Sequence, residues 1–189
     1  MNLIRPFLAE NYAYLYMNWN LFLAFVPLFF AYFFEKEHSL FLKGFTFLLF
    51  LLFLPNAVYM VTDFIHLRDI GPEWMLWYDA MMLFLYAFVG VFINAFLLSR
   101  MKRILFTTRF DQQLFLFSMT LLTAFGVYLG RYIRFNSWDV FVRPFTTIGD
   151  SLSVIGDKYN HPVFLSTMVF FTLFIMVTER AFERMFARD

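Results

Sequence analysis

The stretch MMLFLYAFVGVFINAFLL, residues 81–98, decides the fold class, because it carries no charge and is long enough to cross a bilayer as a helix. Four further stretches approach the same length and hydrophobicity. Together they predict spans at roughly residues 13–34, 44–64, 75–98, 112–134 and 160–181. We therefore predict an all-α, polytopic transmembrane helix bundle of about five spans, organised as one integral membrane domain over residues 1–189.

The composition excludes several classes of protein. Hydrophobic residues make up 61% of the chain and charged residues 15%, which is too apolar for a soluble domain. The net charge of +1 provides no field to attract nucleic acid, so no nucleic-acid role is expected. The chain contains no Cys, which rules out disulfides, thiolate metal sites and a Cys nucleophile.

Orientation is predicted from the Lys and Arg residues in the connections. Counted alternately, one side holds nine of them, including Lys102, and the other side holds six. Since cytoplasmic loops carry the excess, the N-terminus is predicted outside and the C-terminus in the cytoplasm. The connection between spans four and five is too polar to cross the membrane, and we predict that it forms an interfacial segment.

Three motifs place ionisable groups at span ends, where desolvation is costly: LPNAVYMVTDFIHLRD (54–69), WYD (77–79) and GVYLGRYIRFNSWD (126–139). The predicted topology brings all three to the outer leaflet. Asn56, Tyr59, Asp63 and His66 are spaced +3, +4 and +3, which is typical of one helical face. The motifs therefore predict a polar site facing into the bundle.

Roles follow from the chemistry of these groups. Asp63 is placed to orient the His66 imidazole as a general base, so this pair is the predicted catalytic pair. Guanidinium groups bind phosphate or carboxylate with paired hydrogen bonds. The predicted ligand-binding residues are Asn56, Tyr59, Asp79, Tyr128, Arg131, Arg134, Asn136 and Asp139.

Structural explanations compete with several of these roles. Asn56 is also placed to satisfy backbone groups freed by Pro55, and Tyr59 and Tyr128 are also typical packing aromatics. Asn136 and Asp139 have the spacing of a helix N-cap and its return partner.

The charged groups also allow a structural interpretation. A carboxylate paired with Arg131 would hold helices together rather than bind a ligand. No metal site is predicted, because the arginines repel cations and no HxxxH or HExxH spacing occurs.

The motifs resemble an uncharacterised bacterial integral-membrane family, domain of unknown function 1361. The matching residues are Leu54-Pro55-Asn56-Ala57, Tyr59, Thr62-Asp63, His66-Leu67, Trp77-Tyr78-Asp79, Gly126, Tyr128-Leu129-Gly130-Arg131, Arg134 and Asn136-Ser137-Trp138-Asp139. The resemblance implies a multi-pass protein of the bacterial cell (inner or cytoplasmic) membrane. It implies no activity.

Three hypotheses about function remain open. The first is an outer-facing polar site for an anionic amphiphilic ligand, with a lipid-binding or lipid-modifying activity. The alternatives are a small transporter or transporter subunit, and a non-enzymatic membrane assembly or partner protein. Membrane lipids are the expected partners, together with a second copy of the chain or another membrane protein. The sequence identifies no cofactor, and it leaves open whether the protein is an enzyme.

Overall fold

The computed structural model describes residues 16–68, 73–156 and 161–186. These residues are almost entirely helical and contain no strand, which confirms the predicted fold class. Five helical segments are long and apolar enough to cross a membrane: Tyr16–Lys36, Leu40–Leu67, Leu76–Leu105, Arg109–Ile133 and His161–Phe186. The predicted start of the first span, near residue 13, lies outside the described residues. The five apolar helices indicate a multi-pass membrane protein.

The chain divides into two compact units, which meet in sequence between Leu97 and Leu98. The first contains helices α1 (Tyr16–Lys36), α2 (Leu40–Phe53) and α3 (Pro55–Tyr59), the 3-10 helix Met60–Arg68, the 3-10 turn Glu73–Met75 and most of α4 (Leu76–Leu105). The second contains the last turns of α4, then α5 (Arg109–Tyr128), the π-helical turn Leu129–Ile133, α6 (Asp139–Val142), α7 (Pro144–Gly156) and α8 (His161–Phe186). Organisation as a single domain stays a prediction.

In the first unit, α1 packs against α2 through aromatic side chains. The rings of Phe34 and Phe47 lie 5.8 Å apart, as do those of Phe30 and Phe53. The connection between these helices is short, and in it the Glu37 carboxylate accepts hydrogen bonds from the backbone N–H groups of Ser39 (2.8 Å) and His38 (2.9 Å). These bonds, the one from Ser39 first, lower the pKa of Glu37, since they stabilise its charged form.

The second span changes helix type part of the way along. Pro55 has no N–H to continue the hydrogen-bond ladder of α2, and it becomes the first residue of the short helix α3. From Met60 the chain continues as a 3-10 helix. Sequence spacing predicted one α-helical face from Asn56 to His66. With three residues per turn, the face instead aligns Met60, Asp63 and His66.

In the second unit, α5 packs against α8. Helix α5 begins at an N-cap in which the Thr108 hydroxyl accepts the backbone N–H of Asp111 at 3.2 Å. Its buried face includes Thr120 and Thr123, whose hydroxyls donate to the carbonyls of residues three and four positions earlier. These two polar groups are therefore satisfied within their own helix.

Large apolar side chains also lie on the exposed faces of the membrane-spanning helices. Phe29, Phe88 and Phe170 are each more than half exposed although they lie in the middle of long helices. So much exposed apolar surface suits contact with lipid chains and would be a liability in water.

Candidate functional site

A buried carboxylate in the first unit joins the first two spans. Asp63 is 1% exposed on the 3-10 helix, and the Asn20 side chain on α1 donates to its Oδ2 atom at 3.3 Å. Asn20 lies 43 residues away in sequence. The 3-10 helix directs Asp63 inward while Phe64 and Ile65 remain exposed. The hydrogen bond between Asn20 and Asp63 therefore links the 3-10 helix to α1.

A second polar contact joins α1 to α4 in the same unit. The Tyr86 hydroxyl donates to Asn18 Oδ1 at 2.6 Å. A small apolar core of Met17, Met82 and Leu83 lies beside it, with Leu67, Tyr78 and Tyr86 packed against that core. Asn18 and Asn20 thus connect the first span to polar groups of both other spans in this unit.

His66 and Asp79 complete the predicted polar set of the first unit. His66 is half-buried, and its ring lies edge-on to Tyr16 with the centroids 5.6 Å apart. Asp79 is fully buried in the first turn of α4, where a negative charge also interacts favourably with the helix N-terminus. Their predicted catalytic and ligand-binding roles stay predictions.

Asn56 and Tyr59 take part in local backbone contacts at the break in the second span. The Asn56 side chain donates to the carbonyl of Phe53 at 3.1 Å, just before Pro55. The carbonyl of Tyr59 accepts the Thr62 hydroxyl at 2.7 Å, where the 3-10 helix begins. These bonds stabilise the break, as the structural explanation of Asn56 expects.

In the second unit, the two predicted arginines lie on an unusual helix end. Arg131 is half-buried within the π-helical turn Leu129–Ile133, and Arg134 is exposed immediately after it. Arg134 has a φ of 62°, the only positive φ of a non-glycine residue in the described part of the chain. The Leu129 carbonyl then accepts the N–H of Phe135 at 3.2 Å. The N–H groups of Arg134 and Phe135 thus both point to the Leu129 carbonyl, and the helix ends at a left-handed residue, as many helices do.

Tyr128 precedes this turn and is buried by aromatic packing. Its ring stacks on Tyr132 at 4.8 Å and meets Phe164 of α8 edge-on at 5.1 Å. At 2% exposure its ring is a packing element that holds the turn against α8.

Asn136 and Asp139 are linked by hydrogen bonds. Asp139 Oδ2 accepts the backbone N–H of Asn136 at 2.7 Å and lies 3.4 Å from its side-chain nitrogen. Arg143 approaches the other carboxylate oxygen at 3.8 Å. These bonds hold the turn that leads into α6, but the N-cap of that helix is Trp138, so Asn136 is not the N-cap that the structural explanation expected.

Sequence reasoning missed a charged cluster near the end of α4. Lys102 Nζ lies 2.6 Å from Glu179 Oε1 and 2.9 Å from Glu183 Oε2, and Ser99 donates to the same Glu179 oxygen at 2.8 Å. Lys102 and Glu179 are fully buried. The other Glu179 oxygen is buried without a hydrogen-bond partner among the residues described.

A signal for this cluster is present in the sequence. Ser99 and Lys102 are three apart, and Glu179 and Glu183 are four apart, so each pair lies on one helical face. The Lys and Arg distribution assigns Lys102 to a connection, whereas the structure places it inside helix α4.

Within residues 16–68, 73–156 and 161–186, no three His, Asp or Glu side chains lie together in a way that could hold a metal ion. Arg131 and Arg134 are suited to an anion, and Asp63 to a hydrogen-bond donor.

The family of this chain is identified by comparison with known proteins. A family model described as "Protein of unknown function (DUF1361)" matches residues 19–177, well over half of the chain. No match was found among curated proteins or among solved structures. The matched range contains all three motifs in which the sequence resemblance was recognised. The chain therefore belongs to the DUF1361 family of membrane proteins of unknown function.

Proposed function

We propose that this protein binds an anionic amphiphile, a phospholipid or a lipid-linked intermediate, at the turn that carries Arg131 and Arg134. We place this turn at the outer surface of a bacterial cell membrane, following the distribution of Lys and Arg. The observation that carries the proposal is the left-handed backbone of Arg134.

The left-handed conformation costs an ordinary residue about 1–2 kcal/mol, whereas glycine adopts it freely. A helix end of this kind normally carries glycine for that reason. Here the position carries an exposed arginine. A requirement for the helix end alone does not account for a guanidinium, and strained positions concentrate at binding sites.

Arg131 supports the same assignment. A π-helical turn is rare and occurs often at functional sites, and Arg131 is the central residue of this one. Two guanidinium groups three residues apart provide the forked donors that phosphate and carboxylate accept. Their position at the end of an apolar span favours a ligand with an anionic head and an apolar body.

Asp63 and His66 stay our candidates for an acid–base pair within the first unit, since a carboxylate can orient an imidazole as a general base.

The test is native mass spectrometry of the protein extracted gently from its own membrane. We compare the native chain with Arg131→Gln and with Arg109→Gln, a control that removes the same charge from the opposite end of the same span. Loss of a charged hydrogen-bonding group from a binding site weakens binding by about tenfold or more. We expect a discrete anionic adduct on the native chain and on Arg109→Gln that is depleted by that factor on Arg131→Gln. Equal adduct on a folded Arg131→Gln variant would rule the proposal out.

A further inference from the structure

Helix α7 (Pro144–Gly156) has an apolar face that no described residue covers. Phe145, Ile148 and Leu152 are 89%, 54% and 63% exposed. Their spacing of three and four residues places them on one side of the helix. Phe141, in the preceding helix α6, is also exposed.

The other exposed side of α7 is polar. Thr146, Asp150 and Ser153 are exposed, and Gly149 adds no apolar group. With about 100° of rotation per residue, the centre of this polar face lies roughly 140° around the helix from the apolar face. The exposed surface of α7 is therefore amphipathic.

A third side of α7 faces the protein. The buried Thr147 hydroxyl lies 2.8 Å from the carbonyl of Arg143 and 3.2 Å from that of Asp139, and Val154 is buried on the same side. Thr147 and Val154 therefore mark the buried side of α7, and the exposed apolar face lies on another side of the helix.

The position of α7 in the chain determines what covers that face. The helix lies between two membrane-spanning segments, Arg109–Ile133 and His161–Phe186, so it begins and ends at one surface of the membrane. Pro144–Gly156 contains no Lys or Arg, so apolar insertion rather than attraction to anionic lipid is the available force.

We infer that α7 lies in the plane of the membrane surface, with Phe145, Ile148 and Leu152 inserted among lipid chains and Asp150 facing water. This inference also deepens the proposed function, because one of its consequences, the origin of the ligand, rests on that function. Helix α7 and Arg134 lie in the same connection between two membrane-spanning segments, so the ligand of the arginine turn is a lipid of that leaflet rather than a soluble anion.

The absence of Cys from the chain allows a direct test. Phe145→Cys and Asp150→Cys form a matched pair of exposed positions on the two faces, and each is labelled with a nitroxide in phosphatidylcholine vesicles. We expect the label at 145 to be accessible to oxygen and protected from a water-soluble nickel chelate, and the label at 150 to show the reverse. Leu152→Cys reports the same face as Phe145→Cys if the latter fails to fold. Equal access of the nickel chelate to both faces would overturn the inference.

The same labels separate this inference from the proposed function. Insertion seen in both the native and the Arg131→Gln backgrounds supports the inference, whatever the adduct experiment shows. An adduct that depends on Arg131 in a protein whose α7 faces water would overturn the inference and leave the proposed function standing. A lipid adduct that does not depend on Arg131, with α7 inserted, would overturn only the proposed function.

Discussion

Arg134 shows how one residue's conformation bears on function. Nothing in the sequence GVYLGRYIRFNSWD identifies Arg134 as left-handed, because conformation at a helix end depends on where the helix stops. The motif predicted that Arg134 belongs to a site. The structure adds that the arginine occupies a position where glycine would be less strained.

Lys102 is a residue whose partners are identified by the three-dimensional structure. Its buried side chain forms ion pairs with two carboxylates of another helix, those of Glu179 and Glu183. We expect Lys102→Met to cost about 3–5 kcal/mol of stability, because it leaves Glu179 and Glu183 close together without a counter-charge. Unfolding in detergent, followed by loss of helicity, measures this cost.

A double-mutant cycle isolates the pair. Lys102→Met with Glu179→Gln is expected to cost clearly less than the sum of the two single changes, since the second change removes the uncompensated charge. Arg184→Met, which removes an exposed cation from the same helix as Glu179, should have little effect. Full additivity would show that the two groups do not interact in the folded protein.

At the scale of elements, hydropathy predicted the existence of the five helices but not their ends. The third and fifth spans were expected to end near residues 98 and 181, a limit set by the apolar width of a bilayer. The helices continue to Leu105 and Phe186. Charged residues are compatible with helix beyond the apolar core, and these extra turns include Lys102 and Glu183.

The change of helix type in the second span was likewise not predictable from spacing. The sequence showed that Pro55 would disturb the helix, but an α-helix can resume after a proline. The 3-10 helix beyond Met60 carries Asp63, which accepts a hydrogen bond from Asn20 of the first span, and spacing within one element does not reveal such a contact.

Gly90 provides a test of how α4 packs in the first unit. A Cβ atom at this position would lie 2.0 Å from the Ala57 carbonyl oxygen and 2.6 Å from the Met60 side chain. Because the backbone oxygen cannot move aside cheaply, Gly90→Ala is expected to destabilise the protein by about 1–3 kcal/mol or more. Thermal unfolding of the purified protein is the measurement.

Gly44→Ala is the matched control, since a Cβ atom there meets nothing within 4 Å. It should be neutral or stabilise helix α2 by up to about 1 kcal/mol. Similar behaviour of the two alanine variants would contradict the close approach of α4 to α3.

For the whole molecule, composition was sufficient to predict the class. An apolar content of 61% admits few structures other than membrane helices, and the structure and the family match agree with this. The contacts that build polar clusters were less accessible, because they join distant residues. Asn20 and Asp63 are 43 residues apart, and Ser99 and Glu179 are 80 apart. Sequence periodicity relates only neighbours within one element.

Orientation and the assembly of the three motifs into one site stay predictions at this scale. They follow from the Lys and Arg distribution and from the order of the spans. Both predictions can be tested first by measuring whether the intact protein binds an anionic amphiphile.

We interpret Arg134 as a residue whose charge holds the ligand at a position that its backbone disfavours. Arg134→Gly separates the charge from the backbone conformation, when thermal stability and the amount of co-purified anionic lipid are measured on the same preparation. We expect a protein at least as stable as the native chain, because glycine removes a strain of about 1 kcal/mol, together with loss of the lipid. A variant that keeps its full complement of lipid would show that the Arg134 charge does not hold the ligand.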